Sequence, residues 1–515
     1  MESLNLKTVL TTSFALLITW IIIKILIKPY LLLQKLKKVK GATCVFIPVI
    51  GTILEFKQCE KKHDDIFYAV KKRLRENPEL RFVASPHIDK CYVELYDPEL
   101  IKEFLNKAHI LTVKDISVFA TFSEFLLNGL VFAEGDLWKE QRKHLSKVFH
   151  FEYMSKSMGL IDESAVEWIN SVASSNTVSE VNVSKGIKDY TATVIWRVLF
   201  GQESSYEKQE MTHLVDGVIR NNATAMDQAL SPWNMVFGPK FFKLGLRAKD
   251  RQHNREHEVL KKTFYGKLEA MKAKIIEKKA NQVTSNESEG TLRNLIELLL
   301  EQAIREGGLS DLEIVSQVFT FYAAGADTTG ELIALTHYYL AENPGIQEKL
   351  REEILTHIGK SEAIQYEHLM KMEYLSAVIK ETLRMGAPAA GLFFRKVKED
   401  FMIKDLKLKK GFIINVLVPC LGFNPKYFSD VNVYRPERWL EKKDVGTVDP
   451  FAYMPFSTGV RRCIGEQMAL IDAKLLLCEV LRRFKVDIKR PYKLKMGVAP
   501  VHCALDPIIA IYTPI

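Results

Sequence analysis

The chain reads Phe456-Ser457-Thr458-Gly459-Val460-Arg461-Arg462-Cys463-Ile464-Gly465 directly ahead of an apolar run with helical periodicity, from about Gly465 to Arg483. The stretch has the parts that a held thiolate needs. Turn N–H groups and the positive end of a helix dipole stabilise the negative sulfur, and Cys463 stands where a helix begins. Glycines at 459 and 465 let the backbone fold close around the sulfur, and Phe456 can cover it from water. Arg461 carries a planar guanidinium that suits a carboxylate of a large planar cofactor. An isolated cysteine in a large chain reads as a small buried hydrophobe. Here Phe456, Gly459, Arg461, Cys463 and Gly465 occur together at what reads as a strand-to-helix junction, and a metal-held thiolate is the better account. No Cys or His stands near Cys463 at a zinc spacing.

The pattern Phe-x-x-Gly-x-Arg-x-Cys-x-Gly is complete, and at this point the chain resembles the cytochrome P-450 family in its membrane-bound eukaryotic (microsomal) type. The resemblance implies haem b with Cys463 as axial thiolate, pushing electron density toward the iron. It also implies cofactor contacts at Phe456, Arg461 and Gly465.

Further motifs lie upstream in the family's order. Ala324-Gly325-Ala326-Asp327-Thr328-Thr329 falls within the longest helical pattern, from the N-cap candidate Ser310 to about Glu342, which gives a helix of roughly 50 Å. An acid and a hydroxyl in mid-helix cost helix propensity. The plain account is an exposed Asp beside a Thr bonded back to its own helix. The resemblance implies instead that Ala324 and Gly325 make room for oxygen and substrate while Thr328 and Asp327 carry protons. Glu381 and Arg384, three apart, read by spacing as a weak surface pair. The resemblance makes them a structural network with Arg438 of Pro436-Glu437-Arg438. Trp138 and Arg142 present an indole N–H and a guanidinium one helical turn apart, both donors aimed the same way. The resemblance gives them, with Arg395, to the haem propionates.

The N-terminus is apolar from Val9 to Ile23 apart from Thr11, Thr12, Ser13 and Thr19, and apolar again over Ile25 to Ile27. Some 20 residues are needed to cross a bilayer, and Lys24 can snorkel. Lys28, Lys35, Lys37, Lys38 and Lys40 follow the run, only Lys7 precedes it, and no small-x-small cleavage site is evident, so an uncleaved anchor is favoured over a signal peptide. Lysine flanks stay cytoplasmic, which places the body in the cytosol. With the resemblance, this gives a single-pass protein of the endoplasmic reticulum membrane: anchor 1–28, basic linker 29–50, catalytic domain 51–515. The Pro-rich hinge usual after such an anchor is absent, and Gly386-Ala387-Pro388 replaces the usual aromatic and double proline.

The net charge of +9 has a local origin, since six lysines fall between Lys24 and Lys40. That cluster suits anionic lipid, and no nucleic-acid module accompanies it. Seven widely spaced cysteines in a chain this large imply no disulfide framework.

The body reads as one large α+β unit, mostly α, with a long central helix and small β-sheets. Short β-rich runs stand at Arg81–Ala84 and Cys91–Leu95, and helical patterning dominates from Trp138 to about Met385. Glu277 to Gly290 reads as an exposed loop. Composition turns β-like through Val397, Phe412–Val418 and Cys420.

The expected function is insertion of one oxygen atom of O2 into a lipophilic substrate, with NADPH electrons delivered by a flavoprotein reductase. Lys139, Lys143, Lys147 and Arg462 form a basic face suited to that partner. A haem-thiolate isomerase or lyase acting on peroxides would need no proton relay, nor would a haem-based gas sensor; Asp327-Thr328 argues against both. Phe119, Phe122 and Phe125, with Ala324, Leu392, Phe393 and Val501, match the family's substrate-contacting segments. Their aromatic and aliphatic character fits a lipophilic substrate.

Overall fold

The computed structural model describes residues 6–48, 51–87, 90–115, 127–149, 157–174, 176–201, scattered positions from 217 to 231, 240–282, 294–391, 394–441, 448–499 and 501–515. The central helix runs Asp311–Glu342, 32 residues. Its start is fixed by a capping box: Ser310 Oγ accepts from Glu313 N while Glu313 Oε2 accepts from Ser310 N at 2.9 Å. Its end is fixed by Pro344, which begins the next helix, Pro344–Ile358. Buried residues occupy all sides of it, including Ile314, Phe319, Leu332, Ile333 and Leu335, as expected of a helix surrounded by protein.

Two apolar clusters take in its residues, and a third stands apart from it. Its N-terminal half packs with Trp196 and Leu199 of the Val183–Phe200 helix. Its C-terminal half packs with Leu476, Leu477 and Val480 of the last helix, Glu466–Leu481. The third cluster, with Leu74, Phe82, Val93, Leu100 and Ile414, lies under the largest sheet.

That sheet has the order β1-β2-β3-β9-β6-β4, formed by Ala42–Cys44 (β1), Phe82–His87 (β2), Lys90–Leu95 (β3), Thr112–Lys114 (β4), Arg395–Val397 (β6) and Ile413–Asn415 (β9). Ser179–Asn182 (β5), Phe484–Ile488 (β10) and Ile509–Pro514 (β13) make a three-stranded sheet. Phe401–Ile403 (β7) pairs with Leu406–Leu408 (β8), and Met496–Val498 (β11) with His502–Ala504 (β12). Mostly helical architecture with small sheets is thus what the sequence led us to expect.

Three local expectations are corrected. Cys420 lies in a short helix, Val418–Leu421, because Pro419 suits a first helical turn and cannot donate to a ladder. Residues 277–282 belong to the Ala248–Gln282 helix, so no loop begins at Glu277; 283–293 are outside the described residues. Among the described residues 448–465 no strand leads into Cys463: turns and a one-turn 3-10 helix, Gly459–Arg461, lead into the last helix.

At the N-terminus, helix Leu6–Ile22 passes through a π-helical turn, Ile23–Ile27, into helix Lys28–Leu36. The stretch Thr11–Leu36 is long and apolar enough to cross a membrane, and Lys24 Nζ lies 4.9 Å from the Trp20 ring centre. The helical run continues beyond residue 28, and Leu33 and Leu36 are buried in the cluster under the large sheet.

Candidate functional site

The cysteine loop is built from backbone hydrogen bonds. Cys463 N donates to Phe456 O at 2.9 Å, closing the stretch into a loop, and Arg462 N donates to Gly459 O at 3.1 Å. Gly459 takes φ +69°, a left-handed value that glycine adopts without cost, and Ser457 takes φ +60°. Gly465 is the N-cap of the last helix at φ −89°, and no protein atom lies within 4 Å of where a Cβ would stand, so its smallness answers to nothing in the polypeptide. Cys463 is exposed on its open side, yet the protein around it raises the thiol pKa; the Gly465 N–H, Arg142 and Arg462 oppose that rise. Arg142 braces the loop, Nη1 donating to Arg462 O at 2.9 Å.

Beside this loop lies a concentration of cations. Arg461 stacks over Trp138, 3.9 Å from the ring centre, and donates to Ala133 O at 2.9 Å. Arg395 Nη1 reaches Glu134 Oε1 at 2.8 Å, and Arg461 Nη2 lies 3.3 Å from Glu134 Oε2. Lys114 joins them because β4 and β6 pair antiparallel with Lys114 opposite Arg395. Burial lowers the Arg461 pKa to about 10, and burial plus Arg461 and Arg395 hold Lys114 well below the ordinary lysine range. Arg395 and Arg461 thus share the carboxylate of Glu134, with Lys114 beside them, and Arg461 Nε is buried without a hydrogen-bond partner. This surplus fits a cofactor bringing carboxylates of its own, beside an open thiol, as haem does. Trp138 and Arg142 diverge, one facing Arg461 and the other the Arg462 carbonyl, instead of aiming together. Glu134 and Lys114 escaped sequence reasoning. Glu134 holds the N-cap position of the Gly135–Val148 helix but caps nothing, its carboxylate being turned to the arginines.

On the central helix Ala324 is exposed while Ala326 and Asp327 are buried, so the open face includes 324. Thr328 Oγ1 donates to Ala324 O at 2.7 Å, which leaves its acceptor lone pairs available. Asp327 turns the other way, 6% exposed, with Oδ1 3.8 Å from Lys188 Nζ. Burial raises its pKa and Lys188 opposes the rise. The plain account of this pair is therefore half correct: the threonine bonds back, but the aspartate is not exposed. Gly325 is small for packing, since a Cβ there would stand 2.5 Å from Ile195 Cδ1.

Glu381, Arg384 and Arg438 form a buried network, 0%, 2% and 3% exposed. Glu381 Oε1 accepts from Arg384 Nη2 (2.9 Å), Arg438 Nε (3.1 Å) and Arg435 N (2.9 Å), and Oε2 from Arg384 Nε (3.0 Å) and Trp439 Nε1 (2.9 Å). Arg384 also binds the carbonyls of Gly422 and Val431, and Arg438 that of Ser429. The surface-pair account fails here.

Val501 is half-buried in the turn between β11 and β12, its carbonyl accepting from Ala499 N at 2.9 Å. Phe119, Phe122, Phe125, Leu392 and Phe393 lie outside the described residues. Lys139, Lys143 and Arg462 are exposed but interlaced with Asp136, Glu140 and Glu466; the side chain of Lys147 lies outside the described set.

A protein-family model described as Cytochrome P450 matches residues 43–498. Among curated proteins the chain is 27% identical to Cytochrome P450 4V2 of Homo sapiens, over 85% of this chain and 83% of that protein. It is 30% identical to Cytochrome P450 4V2 of Mus musculus, over 70% and 68%, and 25% identical to Cytochrome P450 3A18 of Rattus norvegicus, over 90% of each.

Proposed function

The chain belongs to the cytochrome P450 family of haem-thiolate monooxygenases, and from that membership we propose that Cys463 holds the haem iron and that NADPH, through a flavoprotein reductase, supplies the electrons. Bound haem supplies the activation of dioxygen and its transfer to substrate. The residues around it bind, orient and protonate.

Arg461, Arg395 and Trp138 hold the haem carboxylates, with Lys114 added to the set; two arginines on the single carboxylate of Glu134, one of them with a buried unpartnered Nε, are the observation that carries this. Arg142 steadies the Cys463 loop by its bond to the Arg462 carbonyl, while Phe456 and Gly465 bound the sulfur. Thr328, on the open face, holds a water or hydroxyl through its free lone pairs, and Asp327 behind it provides the proton. Ala324 lines the same face as a small substrate contact. Phe119, Phe122, Leu392, Phe393 and Val501 are the further substrate contacts, their aromatic and aliphatic side chains suiting a lipophilic ligand. Glu381, Arg384 and Arg438 set the loops behind the haem.

We place the catalytic domain over 51–515, tethered by an anchor over 1–28 and the basic stretch 29–50 in the endoplasmic reticulum membrane, with its body in the cytosol. Lys139, Lys143, Lys147 and Arg462 supply the docking face for an acidic reductase. The deciding experiment incubates purified protein, NADPH, reductase and dioxygen with a panel of sterols and fatty acids that give spectral binding shifts. Hydroxylated product requiring all components supports the proposal; rearrangement of a lipid peroxide without NADPH would replace it with the isomerase reading.

A further inference from the structure

Glu331 stands one turn after Asp327 on the central helix, is 1% exposed, and takes no part in the site described so far. Its Oε1 accepts from Ala504 N on β12 at 2.8 Å, and its Oε2 lies 3.9 Å from Lys188 Nζ. The same ammonium is 3.8 Å from Asp327, so one lysine lies between two buried carboxylates. Gly330 permits this: a Cβ there would stand 2.9 Å from Lys188 Cγ and 3.2 Å from its Cα. Thr191, one turn along the lysine's helix, donates to Ala326 O at 2.9 Å and fixes the crossing. Lys188 keeps 24% of its side chain exposed, which makes it the trio's contact with solvent.

The other titratable groups facing Glu331 are Cys503 on β12 and Tyr492, both made harder to ionise by burial, so neither adds a charge. One ammonium cannot neutralise two buried carboxylates, so the trio holds a proton more readily than separate exposed carboxylates would. Burial pushes Glu331 up to about 7 against the opposing pull of Lys188 and the Ala504 N–H.

We propose that Glu331 is a positioning residue that stores the proton passed on by Asp327, with Lys188 moving between the two carboxylates to balance charge. This rests on the Asp327-Thr328 relay. With the proton on Glu331, Lys188 pairs with Asp327 and the trio is neutral. The proton crosses to Asp327 as Lys188 crosses to Glu331, leaving the net charge at zero. Asp327 releases it toward Thr328, the trio becomes −1, and a solvent proton taken up beside Lys188 restores neutrality. Below about pH 7 the store is filled; above it Glu331 is ionised and the store is spent.

The test uses full-length haem-loaded protein with reductase in vesicles, given NADPH and dioxygen alone. The reading is peroxide released per NADPH oxidised, from about pH 6 to about pH 8. In the wild type this ratio rises about twofold or more, centred near the Glu331 value of about 7. E331Q, which keeps an acceptor for the Ala504 N–H, gives a flat profile at the high value, and K188M does the same. If E331Q fails to load haem, E331D decides, with a displaced midpoint expected and a flat profile overturning the proposal. E331Q following the wild-type rise, while D327N and T328A raise peroxide, overturns the role of Glu331 alone. D327N and T328A matching the wild type at every pH overturns the relay and the proposal with it.

Discussion

Replacing Glu381 with alanine removes the acceptor of five hydrogen bonds at once and leaves Arg384 and Arg438 facing each other with almost no access to water. Their remaining carbonyl partners satisfy N–H groups but neutralise no charge. Removing one partner of a buried ion pair costs about 3–5 kcal/mol, against about 0–1 for an exposed pair. At roughly 2.1 cal/mol/K per residue, 515 residues have an unfolding entropy of about 1.1 kcal/mol/K, so the loss corresponds to about 3–5 °C in Tm for a chain that melts as one unit. The network also ties the helix Glu373–Gly386 to segments 422–439, which lead toward the cysteine loop, so haem loading falls as well. Differential scanning calorimetry and haem content per chain measure both. A Glu381→Ala protein with full haem and a Tm within about a degree of wild type would refute the buried-charge reasoning.

Cys463→Ser abolishes the red-shifted carbon monoxide band of reduced thiolate-ligated haem; difference spectra that keep the band remove Cys463 as ligand. Thr328→Ala retains haem and substrate binding but diverts NADPH electrons to peroxide, and unchanged product per NADPH would take Thr328 out of the mechanism. Arg461→Ala deprives the cation cluster of the residue nearest the Trp138 face, and haem transfer to apomyoglobin should accelerate; an unaltered transfer rate would free Arg461 from the propionate role. Deletion of residues 1–28 weakens membrane association and leaves the haem spectrum intact, since the buried Leu33 and Leu36 remain; haem loss would make the deleted segment part of the folded core.

What could be read from sequence was what neighbouring residues encode. Ser310 announces the start of the central helix as an N-cap, and the cysteine loop carries its chemistry within ten residues. Long-range pairing was illegible: Lys114 joins the cation cluster only because β4 meets β6, some 280 positions away, and β5 exists only through its register with β13. Glu381 and Arg384 illustrate the boundary. Their spacing is that of a surface pair, and burial comes from segments 422–439, which a helix period cannot reveal.

The helix Lys28–Leu36 has a mechanical consequence. Because Leu33 and Leu36 are set into the same cluster as Phe82 and Val93, the apolar N-terminal run meets the body as a bracket, not a slack leash. A helix advances 1.5 Å and turns about 100° per residue, so one residue inserted near position 30 must either dislodge those two leucines or swing everything upstream through that angle. The pitch at which the body sits relative to its N-terminal rod is therefore written into two side chains.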